Sequence, residues 1–168
     1  MKRIFIMIAY ELLINTALFA GARFVRVEYV HSRQVQHSKI TIELGSERNE
    51  DRIFYAKLIT EDRRLGGFIL NIERVIGIDK EYFDMIYNRV LDLNFKDIIK
   101  SSEGIVGADG TTNRLTVGTR QNYIELETWS PFYRLEERKT EEMYIIFSEL
   151  FSLFNLEEEI GSWILWSG

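Results

Sequence analysis

Histidine and cysteine, two residue types that often carry catalysis, are scarce or absent in this chain. Histidine occurs only at His31 and His37, and cysteine does not occur. Any imidazole base or imidazole metal site must therefore use one of these two residues. Their spacing matches no helix-face metal motif, and both lie in the polar connection that follows a predicted strand. We expect surface histidines and no metal site, and the lack of cysteine excludes disulfides and thiol nucleophiles.

The segment Asp109–Thr112 places a carboxylate, a glycine and two hydroxyl groups next to one another. Such a set suits a small polar ligand or an ion. A hairpin turn uses the same residue types, because Asp-Gly supplies the positive φ that a type I′ turn requires. A calcium loop would need further oxygen ligands at regular offsets, and Arg114 interrupts them. The sequence favours a turn, with Ile105 and Val106 before it and Leu115 after it.

Carboxylates are abundant, with 26 Asp and Glu residues in total, and no pair is singled out by its spacing. A carboxylate-dependent hydrolase is an alternative function, with Asp109 and either Glu125 or Glu127 as its acid and base. A deep pocket joining two such carboxylates would favour the hydrolase over a binding protein. Neither a P-loop nor an HExxH pattern occurs, so no cofactor is predicted.

The strand predicted for Tyr123–Trp129 carries the most informative side chains. Ile124 and Leu126 are apolar at alternate positions, so we expect them to face the core. The opposite face then holds the candidate binding residues Tyr123, Glu125, Glu127 and Trp129. Aromatic rings interleaved with carboxylates suit a protein-binding or sugar-binding surface, because Tyr and Trp provide a large contact area. The competing interpretation is that a helix or the C-terminal segment around Trp163 covers this face.

Alternating apolar and polar residues predict further strands. They lie near residues 25–29, 40–44, 54–58 and 68–72. A helix is predicted to begin at Asp79 and to end near Asn94, and a last helix runs from about Thr140 to Phe154. Strands grouped together before each helix indicate an α+β fold, with about two main helices packed on one face of an antiparallel sheet.

Residues 1–22 have the order of a secretory signal. Positive charge at Met1–Arg3 precedes an apolar stretch, Ile4–Phe19, and three small residues end at Ala22. Cleavage after Ala22 would leave residues 23–168 as a single α+β domain. Glu11 is costly inside an apolar segment, so a native first helix and a retained membrane anchor stand as alternatives.

Composition limits the partners. The 168 residues carry a formal net charge of −5, which does not suit the neutralisation of phosphates, so no nucleic acid is expected. A signal, an acidic strand bearing aromatic rings and no assembled catalytic set predict a small exported, periplasmic binding protein of the inhibitor or immunity type. Its expected partner is another protein with a basic surface. The alternatives are the periplasmic hydrolase and a structural domain tethered to the membrane.

Overall fold

The computed structural model describes residues 22–32, 37–46, 53–103 and 110–156. These ranges contain six strands and four helices. The strands are β1 (Arg23–His31), β2 (Lys39–Ser46), β3 (Phe54–Arg64), β4 (Gly67–Ile78), β5 (Thr111–Thr119) and β6 (Tyr123–Trp129). The helices are α1 (Lys80–Leu91), α2 (Phe95–Ser102), α3 (Leu135–Arg138) and α4 (Glu141–Ser152). The predicted α+β class is confirmed, and α1 and α4 are its two main helices.

The strands form one antiparallel sheet in the order β4-β3-β2-β1-β5-β6. The first four strands follow one another as a meander, and β5 then returns to the other edge of β1. Arg23 pairs with Thr119 and His31 with Thr111, so β1 lies between strands from the two halves of the chain. The outer strands of the sheet are β4 and β6.

The helices pack on one face of this sheet, and the core lies between the two layers. Alternate side chains of the central strands, such as Val25, Val27 and Ile42, have no exposed surface. Aromatic contacts join the layers, because the ring of Tyr29 lies 5.9 Å from Phe151 of α4, and Phe54 lies 5.2 Å from Phe83 of α1.

The predicted start of α1 is confirmed by its cap. Asp79 accepts a hydrogen bond from the backbone N–H of Tyr82 at 2.6 Å, which satisfies one of the free donors at the helix N-terminus. The predicted end near Asn94 was too late. Helix α1 stops at Leu91, and Asn94 instead caps α2 by accepting from the N–H of Asp97 at 3.2 Å.

The β3–β4 hairpin is longer than the sequence pattern predicts. The strands run to Arg64 and from Gly67 to Ile78, joined by a turn in which Gly66 and Gly67 have positive φ values of 105° and 136°. The prediction stopped where apolar alternation stopped. Apolar and polar residues alternate where one face of a strand is buried and the other is exposed. The half of this hairpin next to the turn buries neither face, so its sequence does not alternate in this way.

Strand β5 is hydrogen-bonded to β1 along one edge and to β6 along the other. The hairpin turn predicted at Asp109 and Gly110 falls largely on residues that the structure does not describe. Asp109 itself, Ile105 and Val106 lie outside the described residues. The turn predicted after Gly118 is confirmed, because the N–H of Thr119 donates to the carbonyl of Asn122 at 2.8 Å.

Two further predictions concern segments outside the described residues. One is the secretory signal at residues 1–22, of which only Ala22 is described. The other is the interpretation that the C-terminal segment around Trp163 covers one face of β6. Within the described ranges, every helix is too short or too polar to cross a bilayer.

Candidate functional site

The face of the sheet opposite the helices, the open face, is polar. Its side chains include those of Arg26, Glu28, Glu43, Tyr55, Lys57, Arg114, Thr116, Tyr123, Glu125 and Glu127. They alternate along each strand with the core residues, because successive side chains of a strand point to opposite faces. The described helices pack on the other face only.

Ion pairs cross the open face from strand to strand. Arg26 of β1 binds Glu43 of β2 at 2.5 Å, and the hydroxyl of Tyr55 donates to the second oxygen of Glu43 at 3.1 Å. Lys57 binds Glu73 at 2.6 Å at the β4 side. The register places Arg26 directly opposite Glu43, whereas Lys57 and Glu73 are diagonal neighbours, and both arrangements can stabilise neighbouring strands.

Arg114 of β5 is shared by three carboxylates, an arrangement we call the Arg114 cluster. Its guanidinium lies 2.5 Å from Glu127, 3.1 Å from Glu28 and 3.4 Å from Glu125. The hydrogen bond to Glu127 is the main cause that raises the pKa of Arg114 above its ordinary value. One positive charge against three negative charges leaves a surplus of two negative charges. Glu125 and Glu127 keep 43% and 53% of their side-chain surface exposed, so part of that surplus faces solvent.

A groove of about 500 Å³ lies beside this cluster, at the end of the open face where β1 begins. Its lining includes Phe24, Tyr55, Thr116, Arg120, Tyr123 and Glu125. Gly45 belongs to its floor, and a Cβ atom there would lie 2.6 Å from the Tyr55 hydroxyl oxygen. The absence of a side chain on β2 at this point is therefore what lets the Tyr55 ring lie across the strand.

The four predicted binding residues do not form one compact site. Tyr123 is 59% exposed and, with Glu125, lines the groove, whereas Glu127 belongs only to the Arg114 cluster. Trp129 lies six positions from Tyr123, which is about 20 Å along a strand. It is half-buried, and its indole ring lies close to Gly110.

Arg138 holds the end of β6 in place. Its side chain is only 2% exposed and donates hydrogen bonds to the carbonyl of Trp129 at 2.9 Å and to the carbonyl of Ser130. A third bond reaches the hydroxyl of Ser102 in α2 at 3.1 Å, and burial lowers the pKa of this guanidinium. The backbone around Trp129 is therefore tied to the helical layer, which makes this part of the strand structural.

The expected burial on β6 was half right. Leu126 is 1% exposed and faces the core as predicted, but Ile124 is 51% exposed. Ile124 lies on the same face of the sheet as Leu126, opposite Val117. The difference arises because β6 is an outer strand, and described helices cover Leu126 but not the end of the strand at Ile124.

The prediction that both histidines lie on the surface was wrong. His31 is 1% exposed and His37 is 9% exposed. Strand β1 continues past Tyr29 to His31, so the alternation that buries Tyr29 also points His31 toward the covered face. Neither histidine belongs to the open face. Within the described parts of the chain, no group of three or more His, Asp or Glu side chains is arranged to hold a metal ion.

The hydrolase alternative pairs Asp109 with either Glu125 or Glu127, and the structure describes only the two glutamates. Such a pair needs contrasting surroundings, one apolar and one polar, that separate the two pKa values. Glu125 and Glu127 instead share one guanidinium on an exposed surface. Asp109, the third candidate, lies outside the described residues.

Sequence reasoning missed the residues that surround β6. Arg26, Glu43 and Arg114 are recognisable from the sequence only as polar positions of predicted strands. Their grouping depends on β5 lying next to β1, a pairing that joins residues 86 positions apart at Glu28 and Arg114. No local pattern carries that information.

Comparison with known proteins gives no relative from which a role can be transferred. No protein-family model matches the sequence, and a search of curated proteins finds no significant match.

Proposed function

We propose that this chain is a small exported binding protein, and that its partner is a protein with a basic surface. The contact surface is the β6 side of the open face, formed by the Arg114 cluster and Tyr123. The observation that carries the proposal is the surplus of two negative charges around Arg114, placed beside an exposed tyrosine ring.

The chemistry of this surface suits arginine or lysine side chains of a partner. Glu125 and Glu127 are exposed and lie on the same face of one strand, so they offer carboxylate oxygens to a planar guanidinium or to an ammonium group. The face of Tyr123 offers a cation–π contact and a large apolar area next to them. Such a surface fits an inhibitor or immunity-type protein that covers a basic site on its target.

Export is part of the proposal. Strand β1 begins at Arg23, immediately after the predicted cleavage point at Ala22, so removal of residues 1–22 would leave every described strand complete. The mass of the N-terminal peptide from protein made in its native cells tests this. A peptide beginning at Arg23 supports export with cleavage, and an intact Met1 contradicts it.

Binding is tested by capture of proteins from periplasmic extract on the immobilised chain. The double variant Tyr123→Ala with Glu127→Ala removes the ring and one carboxylate, and we expect it to retain less than about a tenth of the captured partner. Capture by the unchanged chain should weaken as salt rises, because screening acts on exposed charges.

The matched control is the double variant Glu136→Ala with Glu137→Ala, which removes two exposed carboxylates from α3. It removes two negative charges, one more than the Tyr123 variant removes, from a different surface. Equal loss of capture in both variants would show that only net charge matters, and unchanged capture in the Tyr123 variant would rule out this surface.

A further inference from the structure

The β3–β4 hairpin exposes apolar side chains on both of its faces. Every residue of β4 from Gly67 to Val75 is exposed. Of thirteen large apolar side chains that are exposed in the described ranges, six lie between Leu65 and Val75. They are Leu65, Phe68, Ile69, Leu70, Ile72 and Val75. This is a concentrated patch rather than the scattered exposure that is normal for single residues.

One edge of this hairpin is secured, and no described strand pairs with the other. On the β3 side, the N–H of Arg63 donates to the hydroxyl of Ser38, and its guanidinium donates to the carbonyl of Ser32. On the other side, β4 is an outer strand of twelve residues without proline or lysine, and its only edge-protecting features are the charges of Glu73 and Arg74 and the irregularity at Asn71. Long apolar outer strands offer unpaired N–H and C=O groups to any other strand, and proteins usually protect them with such residues.

We propose that β4 pairs with β4 of a second copy of this chain, antiparallel and about a two-fold axis at Ile72, so that two sheets join into one of twelve strands. This interface is separate from the β6 surface and does not depend on the partner proposed there.

The order of residues along β4 is compatible with pairing to itself. Asn71 is the extra residue of an irregularity, because Leu70 pairs with Glu61 while Ile72 pairs with Thr60. With Asn71 unpaired in both copies, Ile72 meets Ile72 of the second copy, and Val75 meets its Phe68. Glu73 and Arg74 then lie opposite apolar residues, Leu70 and Ile69, so no like charges face each other.

The size of the contact predicts a weak dimer. Twelve residues extend about 40 Å, and a sheet layer is about 10 Å thick, which gives a footprint of roughly 400 Å² on each copy. A standard stable interface covers about 800 Å² on each partner. We therefore expect reversible association at micromolar or higher concentration rather than a permanent dimer.

Sedimentation velocity of the full chain from about 1 to 300 µM measures this association. We expect the wild type to move from monomer toward dimer, and Ile69→Lys to remain monomeric over the same range. The matched control is Ile124→Lys, because Ile124 is also an isoleucine on an outer strand and is 51% exposed against 50% for Ile69. It should dimerise like the wild type.

Cysteine cross-linking locates the axis. The natural chain has no cysteine, so a disulfide-linked dimer reports only the introduced thiols. Residues directly opposite in antiparallel strands have Cα atoms about 4.5–5.5 Å apart, which is within disulfide range. Ile72→Cys should therefore form a disulfide dimer under mild oxidation.

The control is Leu65→Cys at the hairpin tip, which is fully exposed but would lie about 45 Å from its symmetry mate. It should remain uncross-linked. A wild type that is monomeric at all concentrations would overturn the proposal. A monomer that sediments with anionic vesicles would overturn it too, because the exposed patch would then bind a lipid surface rather than a second copy. Cross-linking at Leu65 as efficient as at Ile72, or a dimer abolished only by Ile124→Lys, would overturn it as well.

Discussion

The two faces of the same six strands are built for different purposes. On the covered face, Val25 and Val27 have no exposed surface, and the helices fill the space above them. On the open face, the alternate residues of the same strand are Arg26 and Glu28. Arg26 forms an ion pair with Glu43 of β2, and Glu28 forms one with Arg114 of β5, and both pairs are partly exposed to water. Burial of apolar surface dominates folding, whereas exposed ion pairs contribute little. The difference teaches that stability resides mainly on the covered face, whereas the open face carries ion pairs that contribute little to it.

The largest expected effect lies on the covered face, at Phe83. Its ring is fully buried and contacts Phe54 at 5.2 Å and Tyr87 at 5.7 Å. We expect Phe83→Ala to lower the free energy of unfolding by about 3–5 kcal/mol, measured by urea denaturation. Met85→Ala, on the 43% exposed side of the same helix, should change it by less than about 0.5 kcal/mol. Similar losses in both variants would contradict the assigned packing of α1.

A smaller effect is expected at the cap of the same helix. Asp79→Ala removes the acceptor for the N–H of Tyr82 and should lower the free energy of unfolding by about 1 kcal/mol. Asp79→Ser should restore most of that loss, because serine also accepts from this donor. Failure of serine to restore stability would show that the carboxylate acts only through its charge.

On the open face, Arg114→Ala should lower the free energy of unfolding by less than about 1 kcal/mol, although the residue contacts three carboxylates. The loss should shrink in about 1 M salt, where the screening length is about 3 Å. Lys39→Ala, which removes a single pair with Glu61, should cost less. A salt-independent loss as large as that of Phe83→Ala would abolish the distinction between the two faces.

The smallest effect at neutral pH is expected for Tyr82→Phe, but it grows in alkali. Burial, and secondly the charge of Glu149, raise the pKa of Tyr82 from 10 to about 12. Between those values the unfolded chain loses the phenol proton while the folded chain keeps it, so stability falls as pH rises through this window. The variant lacks this proton, and its unfolding free energy should fall less between pH 10 and pH 12. Parallel pH profiles would contradict the raised pKa.

The local parts of this architecture were predictable. Period-two alternation located β1, β2 and β6, and the cap at Asp79 located α1 within one residue. Helical spacing also located α4, which begins one residue after the predicted start at Thr140 and ends at Ser152 rather than at Phe154. These features depend on neighbours in sequence, and the sequence displays them directly.

The errors arose where position in the sheet decides the outcome. Ile124 follows the alternation of β6, but the strand lies at an edge, so the residue is exposed. His31 is buried because β1 lies at the centre of the sheet. The sequence did not indicate this burial, because a polar residue at the end of a predicted strand is usually exposed. The candidate site shows the same limit. Tyr123, Glu125 and Glu127 were identified, but Arg114, which joins the two carboxylates, was not.

The central place of β1 has a consequence for the time course of folding. One edge of β1 pairs with β2, which is made soon afterwards, but the other edge must wait for β5, which begins at Thr111. Pairings between distant parts of a chain form slowly because the intervening loop must close first. During synthesis the sheet therefore cannot close until more than two-thirds of the chain has left the ribosome.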